Sequence, residues 1–201
     1  MGNQWKLKEI VLMSILGVVF GIIYLAFFLI GQGIRNILAP FGLAPFGYEI
    51  IFGIWFIVSI IAAYIIRKPG AAFTAEVIAG ITEVLLGTAA GPGLILSAAV
   101  QGAGAELAFA LTRWKDYRLR VLVLSGMTAA VISFAWHLFY AGNIALAPGV
   151  IVATFAVRVF SGALLAGVLG KWISDQLAKT GVLRGYALGK ELQKQREQGA
   201  A

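Results

Sequence analysis

One stretch of the sequence, residues 136–143, combines aromatic rings with a histidine and an amide. Trp136 and Tyr140 are four positions apart, so a helix would place both rings on one face. His137 and Asn143 add polar groups at the same end of that helix. Aromatic faces attract flat rings by stacking and cations through the ring electrons. The stretch therefore predicts a binding site for a planar ligand, and a positive charge on that ligand would strengthen its binding.

Each of these residues also has a structural interpretation. Trp and Tyr collect at membrane interfaces whatever the function, and a single histidine is more often a packing residue than a catalyst. The binding interpretation is favoured by further polar residues that fall in apolar segments at compatible depths. These residues are Glu83, Gln101 and Arg158, with Glu49 at the start of another apolar segment.

Glu83 and Arg158 leave two interpretations open. An ionised side chain inside hydrocarbon costs at least about 2.5–3.5 kcal/mol, so each one needs a partner or a function. Glu83 could accept a charge-assisted hydrogen bond from an amino group of the ligand or pair with a positive charge on it. Alternatively, Glu83 and Arg158 form an ion pair that neutralises both, and that pair could still line a cavity.

Apolar segments of membrane-spanning length must position these residues. The 201-residue chain is 60% apolar before its 25 glycines are counted and only 12% charged, which excludes an ordinary water-soluble globule. A helix needs about 20 apolar residues to cross a membrane, and continuous runs favour helices over a β-barrel. We therefore predict an all-α bundle of six transmembrane helices. Their approximate ranges are 10–31, 47–66, 73–90, 93–112, 119–141 and 149–172.

The basic residues predict how this bundle lies in the membrane. Arg35 is the only basic residue in the connections on one side, and the positive-inside rule makes that side external. Both termini are then cytoplasmic. The net charge of +7 is spread over separate turns and a tail, which argues against nucleic-acid binding. The basic residues in the opposite connections are Lys6, Lys8, Arg67, Lys68, Arg113, Lys115, Arg118 and Arg120.

The outer connection, residues 32–47, is long, nearly uncharged and apolar. It contains an immediate repeat, Ala-Pro-Phe-Gly, at 39–42 and again at 44–47. The segment would either lie in the lipid interface or close as a lid over an outward-facing cavity. We predict one transmembrane domain over residues 1–181, followed by a polar cytoplasmic tail over residues 182–201.

Small residues recur at helical spacing in the first apolar segment, at Gly17 and Gly21. Such spacing lets helix backbones approach closely within lipid. Packing inside the bundle is the default interpretation, and a surface for another membrane subunit is the more specific one.

Several chemistries have no sequence signal. The chain contains no cysteine and one histidine, so neither a metal site nor a cofactor is expected. It contains no phosphate-binding loop, no His-Glu-x-x-His and no Gly-x-Ser-x-Gly motif. Active transport would therefore have to draw energy from partner proteins or from an ion gradient.

Taken together, these features resemble the S components of energy-coupling factor (ECF) transporters. The resemblance rests on six helices, the long outer connection, the Gly17/Gly21 face and the aromatic and carboxylate residues in the outer half. More narrowly, the chain is similar to members linked to thiamine or its hydroxymethylpyrimidine precursor. The resemblance implies a vitamin-binding subunit of a bacterial plasma membrane, which works with a transmembrane coupling protein and two cytoplasmic ATPases. Family members commonly carry Ala-x-x-x-Ala where this chain has Gly17 and Gly21.

The resemblance implies that a vitamin is captured from outside, with the segment 32–47 closing over it. The residues that would bind it are Glu83, Trp136, His137, Tyr140, Asn143, Gln101, Arg158 and Glu49. Two other classes of protein remain open at this point. One is a stand-alone ion-coupled transporter or channel for a small organic cation, and the other is a membrane enzyme that uses His137 and Glu83 as an acid–base pair.

Overall fold

The computed structural model describes residues 4–199, and the regular structure in that range is helical. The first helix, α1 (Leu7–Leu38), is longer than the predicted segment 10–31 because it continues through the first part of the outer connection. Its 32 residues span about 48 Å at about 1.5 Å per residue. Helix α1 therefore reaches beyond a hydrocarbon layer of about 30 Å.

The rest of the outer connection is short and mostly helical. A 3-10 turn, Ala39–Phe41, ends at Gly42, whose φ of 72° lies in the left-handed region that favours glycine. The second copy of the repeat then opens a one-turn helix, α2 (Phe46–Glu49). The two copies therefore have different roles, because one ends a helix and the other begins one.

The predicted segment 47–66 is divided into three helical pieces. After α2, a 3-10 helix (Phe52–Phe56) leads into α3 (Ile57–Ile66). All ten residues of α3 are buried. Helix α3 is apolar all round because it lies at the centre of the bundle and packs against neighbouring helices on every side.

Three further helices pack beside one another in chain order. They are α4 (Ala71–Leu85), α5 (Leu94–Leu111) and α6 (Leu119–Tyr140). Helix α4 packs between α1 and α5, and α5 packs against α6. Helix α4 ends before the predicted residue 90, because Gly87 turns the chain with a φ of 86°.

The last long apolar segment, predicted at 149–172, extends to Lys179. It consists of α7 (Pro148–Ser161), a π-helical stretch (Gly162–Val168) and α8 (Leu169–Lys179). The π-helical stretch packs closely on α6, where a Cβ on Gly162 would lie 2.5 Å from the carbonyl oxygen of Gly126.

The polar tail is better packed than its composition indicates. Of the predicted tail 182–201, the structure describes 182–199, and residues 200 and 201 lie outside the described range. Helix α9 (Ala187–Gly199) packs against α3 and α8. Leu183 and Leu188 are buried in the hydrophobic core. The beginning of the tail therefore packs into the bundle instead of extending into solvent.

Within the described residues, four helical segments are long and apolar enough to cross a membrane. They are Leu7–Phe41, Leu94–Leu111, Leu119–Tyr140 and Pro148–Lys179, and Phe52–Ile66 is apolar but shorter. The chain is thus an all-helical, multi-pass membrane protein.

The bundle has two ends of different character. The basic end carries the start of α1, the turn from α3 to α4 that contains residue 68 and the turn from α5 to α6 that contains residue 115. The cavity end, at the other end of α1, carries α2 and the turns between α4 and α5 and between α6 and α7.

Candidate ligand-binding site

A cavity of about 260 Å³ lies at the cavity end, and we call it the aromatic cavity. Helices α1, α4, α5 and α6 and the segment 48–55 contribute its wall. Four of the predicted site residues lie on this wall: Glu83, Gln101, His137 and Tyr140. Half of the other eight lining residues are aromatic, namely Phe28, Tyr48, Phe52 and Trp55.

Glu83 is the charged residue on this wall. Its side chain is 1% exposed. Oε1 accepts a hydrogen bond of 3.2 Å from the hydroxyl of Thr88, whereas Oε2 is buried and has no hydrogen-bond partner among the described residues. A buried carboxylate oxygen without a donor is costly, so this atom is suited to a ligand that brings a donor or a positive charge.

Trp136 and Tyr140 stack on each other, as their spacing predicts, with ring centroids 5.0 Å apart and an interplanar angle of 17°. Tyr140 is half-exposed and lies on the cavity wall. Trp136 is not among the residues that line this cavity, but its indole nitrogen donates a 3.0 Å hydrogen bond to the hydroxyl of Ser97, which does line it. The geometry therefore makes Trp136 a support behind Tyr140 instead of a residue that faces the cavity.

A second cavity of about 380 Å³, which we call the polar cavity, adjoins the aromatic cavity. Tyr48, Phe52, His137 and Ala141 line both. The polar cavity holds the other predicted site residues, Glu49, Asn143 and Arg158, together with Arg35 at the end of α1.

Arg158 does not pair with Glu83, so the ion pair that was one of two interpretations of the sequence is not formed. Its guanidinium binds Glu49 through two hydrogen bonds of 2.5 Å, from Nε and from Nη2. The two residues are 2% and 4% exposed. The sequence placed Glu49 at the start of an apolar segment, whereas in the structure it is the last residue of α2. It is buried because α2 packs against α7.

His137 completes this buried network. The Nη1 group of Arg158 lies 3.0 Å from Nδ1 of His137. A guanidinium can only donate, so Nδ1 accepts and the ring proton is on Nε2. The imidazole is therefore neutral, and a neutral ring next to a bound guanidinium is a poor acid–base partner for Glu83.

The ring of Phe52 fixes the guanidinium from one face. The centre of the guanidinium lies 3.7 Å from the centroid of the Phe52 ring. The backbone on either side of Phe52 is tied to Ser161 of α7, whose hydroxyl accepts a hydrogen bond from the Gly53 amide and donates one to the Ile50 carbonyl, each of 2.9 Å. Segment 50–53 is thus held against α7 beside Arg158.

The aromatic residues of segment 48–55 were not among the site residues predicted from the sequence. Tyr48, Phe52 and Trp55 are spaced four and three residues apart, which is the spacing of one helical face. That spacing is a usable signal, although it is equally typical of a helix that packs in a hydrophobic core.

Gly17 and Gly21 are buried against α4 of this chain. A Cβ at Gly17 would lie 2.5 Å from Cγ2 of Ile78, and a Cβ at Gly21 would lie 2.5 Å from Cβ of Thr82. Their small size allows α1 and α4 to pack closely. The structure thus favours packing inside the bundle, and the expectation that both glycines face another subunit does not fit their burial.

Among residues 4–199, no three His, Asp or Glu side chains are grouped closely enough to hold a metal ion. The wall of the aromatic cavity offers a ligand aromatic rings, the unpartnered carboxylate oxygen of Glu83 and the amide of Gln101.

Comparisons with known proteins identify the class. A family profile described as the permease component of an ABC-type cobalt transport system matches residues 8–132. A solved structure described as an S component of an ECF transporter matches with a TM-score of 0.93 and 51% sequence identity, over 98% of each chain. The chain belongs to this family of S components, which are substrate-capture subunits of ECF importers and not hydrolases.

A curated relative narrows the comparison. Over 196 residues the chain is 54% identical to YkoE of Bacillus subtilis (strain 168), a protein named as an HMP/thiamine permease protein. The match covers 97% of this chain and 96% of YkoE. The family assignment confirms the resemblance found in the sequence, and it favours a substrate-capture subunit over a stand-alone transporter or channel.

Proposed function

We propose that this chain captures thiamine or its hydroxymethylpyrimidine precursor from outside a bacterial cell. The observation that carries this proposal is the unpartnered Oε2 of Glu83 on an aromatic cavity wall. Both ligands contain an aminopyrimidine ring, and thiamine adds a cationic thiazolium. The name of the relative YkoE supports the same pair of ligands.

In the proposed complex, aromatic side chains stack on the ligand rings and Glu83 accepts a hydrogen bond or faces a positive charge. Gln101 and the Nε2 proton of His137 supply neutral polar groups. The pair formed by Glu49 and Arg158 shapes the polar cavity, and Asn143 lies on its wall. No bond of the ligand is made or broken.

We further propose six transmembrane helices with both termini in the cytoplasm. Helices α3 and α4 are short for full spans, but α3 is extended by the apolar 3-10 helix before it. The excess of Lys and Arg at the basic end supports a cytoplasmic position for that end. The cavity end then faces outward, and residues 39–47 lie where a lid would close.

Release into the cell would require partners, because the sequence contains no ATPase motif. We propose a transmembrane coupling subunit and two cytoplasmic ATPases, as the resemblance implies. Because Gly17 and Gly21 are buried against α4, we propose that the coupling subunit contacts other faces of the bundle that are exposed.

Calorimetric titration of the purified, folded chain with thiamine and with hydroxymethylpyrimidine tests the ligand. Tight binding of either one supports the proposal, and no detectable heat with both would refute it. Glu83→Gln separates two roles of the carboxylate. If Glu83 accepts from the pyrimidine amino group, the affinity for both ligands falls equally, and if it faces the thiazolium, only thiamine binding weakens.

A matched control is Glu197→Gln, the same chemical change on the exposed face of α9. Its titration curves are expected to coincide with those of the unmodified chain. A loss of affinity in this control would show that the measurement reports net charge and not the cavity.

A further inference from the structure

A cavity of about 1060 Å³ opens at the basic end, far from the candidate ligand site, and we call it the basic groove. It lies between the start of α1, the turn from α3 to α4, the turn from α5 to α6 and the start of α9. Seven of its fourteen lining residues are basic, and one is acidic. The seven are Lys6, Lys8, Arg67, Lys68, Arg113, Lys115 and Lys190.

Part of this positive charge is already neutralised. Lys68 forms an ion pair of 2.7 Å with Glu9, and Arg67 forms one with Glu191. Within residues 4–199, the side chains of Arg113, Lys115 and Lys190 make no hydrogen bond and no ion pair. All three are exposed. The groove therefore presents a cluster of cations that the described chain does not neutralise.

The backbone of the groove is strained at several positions. Among residues 4–199, the residues other than glycine with a left-handed φ are Arg67 at 55°, Arg113 at 53° and Trp114 at 53°, and all three line the groove. Strain of this kind persists where surrounding contacts enforce it, and it is concentrated at functional sites.

Glu106 supplies contacts that hold one of these residues, Trp114, in place. It accepts a 2.5 Å hydrogen bond from the indole nitrogen of Trp114 and bonds of 2.8 and 3.0 Å from the amides of Gly70 and Ala72. One carboxylate therefore ties the turn from α5 to α6 to the first turn of α4.

The surroundings of the groove fit the level of lipid headgroups. Trp114 lies on its wall and Trp5 is tied beside it by a 3.2 Å hydrogen bond to the carbonyl of Pro69, and Trp is enriched at membrane interfaces. Leu7 and Leu111, at the ends of α1 and α5 nearest the groove, are 77% and 68% exposed. These leucines provide apolar surface for acyl chains next to the cations.

We propose that the basic groove binds the phosphate-bearing headgroup of an anionic phospholipid. Basic pockets between transmembrane helices recognise such headgroups, because each Lys or Arg near an anionic surface strengthens binding. Arg113, Lys115 and Lys190 contact the phosphate, and the acyl chains lie over Leu7 and Leu111. Which leaflet supplies the lipid depends on the membrane orientation proposed above, whereas the binding itself does not.

The test is native mass spectrometry of the full chain in detergent, with phosphatidylglycerol or phosphatidylcholine added. The purified chain is expected to retain phosphatidylglycerol in preference to phosphatidylcholine. A triple variant, Arg113→Gln, Lys115→Gln and Lys190→Gln, is expected to weaken phosphatidylglycerol retention by about a hundredfold, because each of the three charges contributes about fivefold.

The matched control removes the same charge outside the groove, through Lys179→Gln, Lys194→Gln and Arg196→Gln, which are all exposed. Retention in the control is expected to equal that of the unmodified chain. Circular dichroism checks that both triple variants keep their helix content. Thiamine binding tests the cavity end, so its titration can fail or succeed independently of lipid binding at the groove.

Three results would overturn the proposal. One is equal loss of phosphatidylglycerol in both triple variants, which would indicate a general charge effect. Another is full displacement of the lipid by millimolar inorganic phosphate, which would indicate a site for a free anion. The last is unchanged lipid retention in a groove variant that no longer assembles with its coupling partner, which would make the groove a protein interface.

Discussion

Glu49 and Glu83 are both buried carboxylates at the cavity end, but they differ in what surrounds them. Glu49 receives two hydrogen bonds from Arg158, so its charge is balanced within the chain. Glu83 receives a single hydrogen bond from a neutral hydroxyl and keeps one oxygen without a partner. The comparison indicates that the polar cavity is built around a completed ion pair, whereas the aromatic cavity lacks a partner that a ligand would supply.

The largest expected effect comes from breaking the completed pair. Glu49→Gln leaves the guanidinium of Arg158 buried without a counter-charge, so the free energy of unfolding is expected to fall by about 3–5 kcal/mol. Chemical unfolding in detergent, followed by circular dichroism, measures this change.

The control for this prediction replaces both partners, with Glu49→Leu and Arg158→Met in one chain. Buried ion pairs replaced by apolar residues of similar size often lose little stability. The double variant is therefore expected to recover most of the loss. A single variant as stable as the unmodified chain would mean that the pair does not hold the fold at this end.

Glu83 is expected to behave in the opposite way. Glu83→Gln should weaken a ligand that donates to this carboxylate by about 1.5–3 kcal/mol, because a charged hydrogen-bond partner is lost. The free energy of unfolding should stay constant or rise, because a buried charge without a partner is removed. Calorimetric titration and chemical unfolding of the same preparation measure both quantities, and a stability loss as large as that of Glu49→Gln would place Glu83 in the structural class.

Trp136→Phe is expected to have a smaller effect than either carboxylate. Phenylalanine keeps a ring behind Tyr140 but cannot donate to Ser97, so about 0.5–1.5 kcal/mol of stability is expected to be lost. Ligand affinity should change less than in Glu83→Gln, since Trp136 lies behind the wall. An affinity loss that exceeds that of Glu83→Gln would show that Trp136 contacts the ligand directly.

The smallest effect is expected from an exposed ion pair, which completes the comparison. Hydrogen bonds from Arg118, followed by those from Arg120, hold the pKa of Asp116 well below its usual range. Because the pKa of Asp116 is lower in the folded state than in the unfolded state, the carboxylate stabilises the fold at any pH above its unfolded-state pKa. This stabilisation is lost as the pH falls through the folded-state pKa. Thermal unfolding scans between about pH 5 and pH 2 should therefore show a slightly weaker pH dependence for Asp116→Asn.

The helical architecture could be predicted from the sequence because long apolar runs have few alternatives in a membrane. The predicted helix over 119–141 agrees closely with α6, since residues 119–140 are bounded by charges at one end and by a glycine turn at the other. The boundaries near residues 32–47 were less predictable, because an uncharged segment gives no signal for where α1 stops.

The pairing inside the site could not be predicted. Glu49 and Arg158 are 109 positions apart, and their contact depends on how α2 folds inward onto α7. A sequence gives approximate depth but not the direction in which a side chain points, so it did not reveal Glu49 as the partner of Arg158. The same limit placed Trp136 on the cavity wall, although its indole nitrogen faces α5.

The central claim, that the aromatic cavity receives the ligand against Glu83, is tested most directly by an experimental structure of the chain with bound thiamine. The account predicts a ligand ring between the aromatic side chains of the cavity, with a nitrogen or the thiazolium facing Glu83 and a hydrogen bond of about 2.7–3.2 Å if an amino group donates. A ligand bound elsewhere on the chain, or a cavity in which Oε2 of Glu83 stays without a partner, would contradict it.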